Sequence, residues 1–144
     1  MSLAGLLIAA SLLAGLALEG LLNDKTGWRR LAERFRKRGP FRGRRERLES
    51  GRVGKGNFSM GLTVGGSPEH LLVAAAPWYR SGRPSLLIPW SEITVRKRVG
   101  IRVDVEFVVA GMEDEIIRLN PPVVFRMWQD SGEAFDLPDI EGAL

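Results

Sequence analysis

A chain of 144 residues has room for one modest domain and an appendage. It holds no cysteine and a single histidine, which excludes disulfide frameworks, thiolate nucleophiles, zinc–cysteine sites and paired-histidine mechanisms. The formal charge of +4 is unevenly spread: residues 25–55 carry 13 Lys/Arg against Glu33, Glu46 and Glu49 (net +10), residues 1–24 only Glu19 and Asp24 (net −2), and residues 56–144 eight Lys/Arg against 12 Asp/Glu (net −4).

The chain opens with an apolar run. Leu3–Leu22 is 20 residues with Glu19 as its only charge, about 30 Å as a helix and so matched to a bilayer core. Leu3, Leu6, Leu7, Ile8, Leu12, Leu13, Leu16, Leu18, Leu21 and Leu22 are not confined to one stripe, and small residues fill the spaces between them. Residues 1–22 are therefore expected to be a transmembrane helix. A cleaved signal peptide would begin with a basic region that Met1-Ser2 does not supply. A core helix of this length is out of proportion to so small a domain. The basic residues follow the span, so the positive-inside rule places the N-terminus outside and the remainder in the cytoplasm, anchored by one pass.

Residues 23–50 read as a basic juxtamembrane arm. Trp28, Leu31, Ala32 and Phe35 recur at helical spacing, predicting a short amphipathic helix. Trp28 and Phe35 are expected at the membrane interface, with Arg29, Arg30, Arg34, Arg36, Lys37 and Arg38 meeting anionic lipid headgroups. Gly39-Pro40 ends the helix, and Phe41 to Arg52 reads as an arginine-rich linker.

From residue 51 the pattern turns to short strands between turn residues. Val53–Leu62, His70–Ala76, Leu86–Ile88, Ile93–Arg98, Val103–Phe107 and Ile116–Leu119 give about six strands, and Val103, Val105 and Phe107 against Arg102, Asp104 and Glu106 is the clearest alternation. Asn120-Pro121-Pro122 then starts a helix with apolar Val123, Val124, Met127 and Trp128, ended by Gly132. Residues 51–132 are thus expected to form a mainly β domain, a small antiparallel barrel or sandwich with a C-terminal helix. The acidic, proline-containing residues 133–144 read as a disordered tail.

Gly27-Trp28-Arg29-Arg30-Leu31-Ala32-Glu33-Arg34-Phe35 and Arg83-Pro84-Ser85-Leu86-Leu87-Ile88-Pro89-Trp90-Ser91-Glu92-Ile93 resemble uncharacterised bacterial membrane-anchored proteins. In these an apolar helix precedes a W-x-x-L-A-x-x-F box and a small β domain with an I-P-W-x-x-I segment. That group often has His-Pro-Pro where this chain has Arg83-Pro84-Ser85, so no loop histidine role carries over. The strand number and terminal helix also resemble the pleckstrin-homology-like superfold, which implies a fold and no activity.

Chemistry-bearing motifs are scarce. The glycines at 51, 54 and 56 lack the Gly-Lys-Ser/Thr ending and following helix of a phosphate loop. His70 reads as a strand-start residue, and Glu113-Asp114-Glu115 as a solvated turn with no convergent ligands. Arg96, Lys97, Arg98 and Arg102 form a basic hairpin suited to a phosphate or headgroup. These features lead to a non-catalytic membrane-anchored protein, with no cofactor or metal, whose β domain binds a partner protein or anionic lipid headgroups. The alternatives are a basic arm bound to ribosomes or nucleic acid, for which no base-reading motif is present, and an enzyme without a recognised motif.

Overall fold

The computed structural model describes residues 27–144. Helix α1 (Trp28–Phe35) leads into strands β1 (Arg44–Val53), β2 (Gly56–Gly66), β3 (His70–Ala75), β4 (Leu86–Pro89), β5 (Ile93–Val99), β6 (Val103–Val109) and β7 (Ile117–Leu119), then helix α2 (Pro121–Asp130). Short 3-10 turns lie at Pro77–Tyr79, Trp90–Glu92 and Glu141–Ala143. All seven strands belong to one antiparallel sheet in the order β4-β3-β2-β1-β7-β6-β5, curled into a half-barrel. Two meanders, β1–β4 and β5–β7, are joined by the pairing of Gly51, Arg52 and Val53 with Leu119, Arg118 and Ile117.

The curl has a local cause. The β1–β2 register slips between Glu46 and Glu49 and again between Glu49 and Gly51. Leu48 (φ 56°) and Met60 (φ 50°) adopt left-handed backbone beside these slips. Bulges of this kind bend and twist a strand, here at about 1 kcal/mol or more for each non-glycine residue held there.

One apolar core results. It joins Val53, Leu62, Val64, Leu71, Val73, Leu86, Ile88, Val105, Phe107, Ile117 and Leu119 of the sheet to residues of both helices. From α2 come Val123, Val124 and Met127, on the helix opened as expected by the Asn120 side chain, whose Oδ1 accepts from the Val123 N–H at 3.1 Å. From α1 come Trp28, Leu31 and Phe35. The Trp28 indole meets Phe58 edge-on and donates Nε1–H to the Pro84 carbonyl at 2.7 Å. This corrects the expectation that Trp28 and Phe35 lie on a membrane surface: the amphipathic face of α1 is satisfied by the protein's own core. After α1 the chain bridges Arg36 to Leu86 and donates the Lys37 N–H to Ser85, covering the outer edge of β4.

Two further segments differ from expectation. Phe41 to Arg52, read as linker, contains most of β1, so the sheet has seven strands rather than six and begins before residue 51. Before the buried Val53, the inward positions of β1 hold Glu46 and Glu49 instead of apolar residues, matched by Arg126 of α2 at 3.2 and 3.5 Å. Residues 133–144, read as disordered, pack on the domain: Ile140 is buried, Phe135 stacks on Trp90 at 4.5 Å between centroids, and its carbonyl accepts from Trp128 Nε1. The transmembrane helix expected over residues 1–22 lies outside the described residues. Among those described, no helix is long and apolar enough to cross a membrane.

Candidate functional site: a cationic cleft on the outer face of the sheet

In β2 and β3, Leu62, Val64, Leu71, Val73 and Ala75 point into the core. The intervening Thr63, Gly65, Leu72 and Ala74 therefore face outward. Phe41 lies flat on this outer face because residue 65 is glycine: a Cβ there would come within 2.9 Å of the Phe41 ring and 2.5 Å of the Arg44 carbonyl. The Phe41 ring in turn carries the Arg45 guanidinium at 5.5 Å, a cation–π contact that holds the arginine over the sheet.

Beside it opens a cleft of about 570 Å³. Its floor is Thr63, Leu72 and Ala74, its apolar wall Leu48, Ala76, Pro77 and Trp78, and its polar rim Lys37, Arg45, Arg47, Arg80 and Ser85. No carboxylate lines it, and the ion pairs of the described residues engage other arginines. Trp78 is 64% exposed and Leu48 54% exposed. Leu48 is also one of the left-handed residues, so strained backbone and an exposed apolar side chain coincide at the cleft wall. Four uncompensated cations around an apolar floor suit an anion carrying an apolar body, and arginine in particular offers bidentate donors to phosphate.

The residues singled out in the sequence are dispersed by the fold. Arg29 pairs with Glu33 at 3.8 Å within α1, and Arg30 with Glu115 at 3.2 Å. Arg34 donates to the Ala110 carbonyl at 2.8 Å and reaches Glu92 at 3.4 Å. Arg30 and Arg34 thus hold α1 against neighbouring turns. Arg36 and Arg38 are exposed, and of the six cations expected at the headgroups Lys37 alone lines the cleft. Arg96 is tied to Glu106 at 2.9 Å, and Arg102 approaches Asp104 at 3.7 Å. Lys97 and Arg98 are exposed and enter none of the described ion pairs. A second cleft of about 510 Å³ lies between the β5–β6 turn and β1, with Arg52, Arg98, Arg102 and Arg118 along it. Its cations are partly neutralised, since Asp104 shares the lining and Glu106 takes Arg118 at 2.6 Å.

Two carboxyls are perturbed. Burial alone would raise Glu106, but hydrogen bonds from Arg118 and Arg96 outweigh it and hold the carboxyl below its ordinary range. Burial raises Glu49, with Glu46 adding to the effect and Arg126 and Asn120 only partly opposing it. His70 pairs with Pro89 at the start of β3 and its N–H is taken by Ser67 Oγ at 3.0 Å. Among the described residues no group of three His, Asp or Glu converges on a metal position. The sequence reading missed Arg45, Arg47 and Arg80 as a group; the spacing of Arg45 and Arg47, two apart and hence on one strand face, was the available signal.

Comparison of the chain with protein-family models, curated proteins and solved structures gives no match.

Proposed function

We propose that this protein is a non-catalytic, membrane-anchored β domain whose outer cleft binds the phosphate of an anionic lipid headgroup. The cleft carries the proposal: Lys37, Arg45, Arg47 and Arg80 surround an apolar floor with no carboxylate among the lining residues. The apolar stretch at residues 3–22 supports a single pass through a bacterial inner membrane, with the basic residues after it supporting a cytoplasmic domain. Two meanders joined through β1 and β7 and followed by a terminal helix support a pleckstrin-homology-like reading of the fold.

The full chain in neutral detergent micelles provides the test. Short-chain phosphatidylglycerol, short-chain phosphatidylcholine and inorganic phosphate are titrated in turn while tryptophan emission is followed, with Trp78→Phe assigning the signal. Phosphatidylglycerol is expected to give a saturable, salt-sensitive response, phosphate a weaker one and phosphatidylcholine none. Each cation near an anionic surface contributes on the order of 1 kcal/mol, so Arg45→Gln with Arg47→Gln is expected to weaken binding about 30-fold. Equal responses to the two lipids, or a double variant that binds like the parent, refute the proposal.

A further inference from the structure

The β5–β6 hairpin ends in a feature that the core does not explain. β7 pairs with β6 only from Val105 to Phe107, whereas β5 and β6 pair as far as Val99 with Val103. The last part of the hairpin therefore extends past its neighbouring strand as a two-stranded ribbon. Its turn is closed by a Gly100 N–H to Arg102 carbonyl bond of 3.1 Å. At the tip, Val99 is 70% exposed and Ile101 fully exposed. Two β-branched apolar side chains thus stand in water at the most protruding point of a strand pair. Below them exposed Lys97 and Arg98 form a basic collar with Arg102, which lies 3.7 Å from Asp104 yet keeps 86% of its side chain exposed.

We infer that the β5–β6 tip is a membrane-penetrating wedge, with Val99 and Ile101 entering the acyl boundary of an anionic bilayer while Lys97, Arg98 and Arg102 meet its phosphates. The order of chemistries along the ribbon, apolar at the end and cationic behind it, matches the order a bilayer presents to an approaching protein in reverse: phosphates first, hydrocarbon beyond. Arg96 takes no part, because Glu106 holds it on the sheet. A minor-groove wedge in nucleic acid is disfavoured, since unstacking must be offset by extended phosphate contacts, and around the hairpin Asp104 and Glu106 already take up Arg102, Arg96 and Arg118. The inference rests on the membrane reading above but uses side chains separate from the cleft.

The absence of cysteine makes the test clean. The full chain carrying Ile101→Cys, labelled with an environment-sensitive fluorophore, is reconstituted with vesicles of phosphatidylcholine alone or with added phosphatidylglycerol, and circular dichroism checks that the sheet is intact. In the anionic vesicles the emission is expected to shift to the blue and to be quenched by spin-labelled lipid, and Lys97→Gln with Arg98→Gln to abolish most of that shift. Emission that stays water-like in both vesicles overturns the wedge, and so does insertion that ignores lipid charge or a shift produced by duplex DNA instead of vesicles. If the label stays in water while Trp78 still responds to phosphatidylglycerol, the wedge fails and the cleft stands. A buried label without any Trp78 response separates them the other way.

Discussion

Glu106 sits in a row of side chains crossing four strands, and the row fixes what its loss does. The registers align Arg52 with Arg118, Arg118 with Glu106, and Glu106 with Arg96. One carboxylate, 6% exposed, thus accepts from Arg118 at 2.6 Å and Arg96 at 2.9 Å. Glu106→Gln keeps the shape but removes the charge and one acceptor oxygen. The Arg118 bond, whose partner is 23% exposed, is worth about 2 kcal/mol as a charge-assisted bond. Arg96 is 53% exposed and therefore screened, adding only about 0.5 kcal/mol. Leaving like charges opposed across strands costs a few tenths more, so the loss is roughly 2–3 kcal/mol, or about 10 °C in melting temperature for a domain of this size. Thermal and urea unfolding of the full chain in neutral detergent measure it. The pH dependence supplies a second reading. Because the folded carboxyl lies below its ordinary value of 4.5, its stabilisation is fully present above that value and is lost as pH falls through the folded pKa. The parent and Glu106→Gln should therefore differ by a constant amount near neutrality and converge in acid. A variant within about 0.5 kcal/mol of the parent at neutral pH, too small for two charge-assisted bonds, or a gap that persists unchanged in acid, refutes the assignment.

Two other substitutions probe the helix and the bulge. Trp28→Ala empties a fully buried site and removes the bond to Pro84; a loss of about 3–5 kcal/mol is expected in urea unfolding, whereas a loss under about 1 kcal/mol would show that α1 is not part of the core. Leu48→Gly relieves left-handed backbone at an exposed position, so stability should rise by about 0.5–1 kcal/mol while phosphatidylglycerol binding weakens through loss of the cleft wall. A variant that is less stable and binds equally well contradicts both roles of Leu48.

What the sequence disclosed followed the strength of its periodicities. β6 and α2 were legible because Val103, Val105 and Phe107 alternate and Asn120-Pro121 begins a helix with an apolar stripe. β1 was not, because its inward positions hold Glu46 and Glu49, which Arg126, some 80 positions away, makes acceptable. α1 was found but its partner was misjudged. Helical spacing shows that Trp28, Leu31 and Phe35 share a face, but not whether lipid or a core made of residues 53–127 covers it. The tail misled through composition, since Phe135 and Ile140 are only two anchors in an acidic stretch. The cleft was invisible for a related reason: Lys37, Arg45, Arg47 and Arg80 come from three elements that meet only in the folded sheet.

The pairing of β1 with β7 has a bearing on the order in which the molecule comes together. Val53 must wait for Ile117, 64 positions later, before its second edge is filled. A nascent chain can therefore assemble the first meander early but leaves β1 unpaired on one side until almost the whole polypeptide has emerged, with the closing step carrying most of the loop entropy. Arg126, which neutralises the inward glutamates of β1, arrives later still. Stalled or truncated translation products ending before residue 117 should accordingly display an open strand edge, which invites aggregation or capture by chaperones.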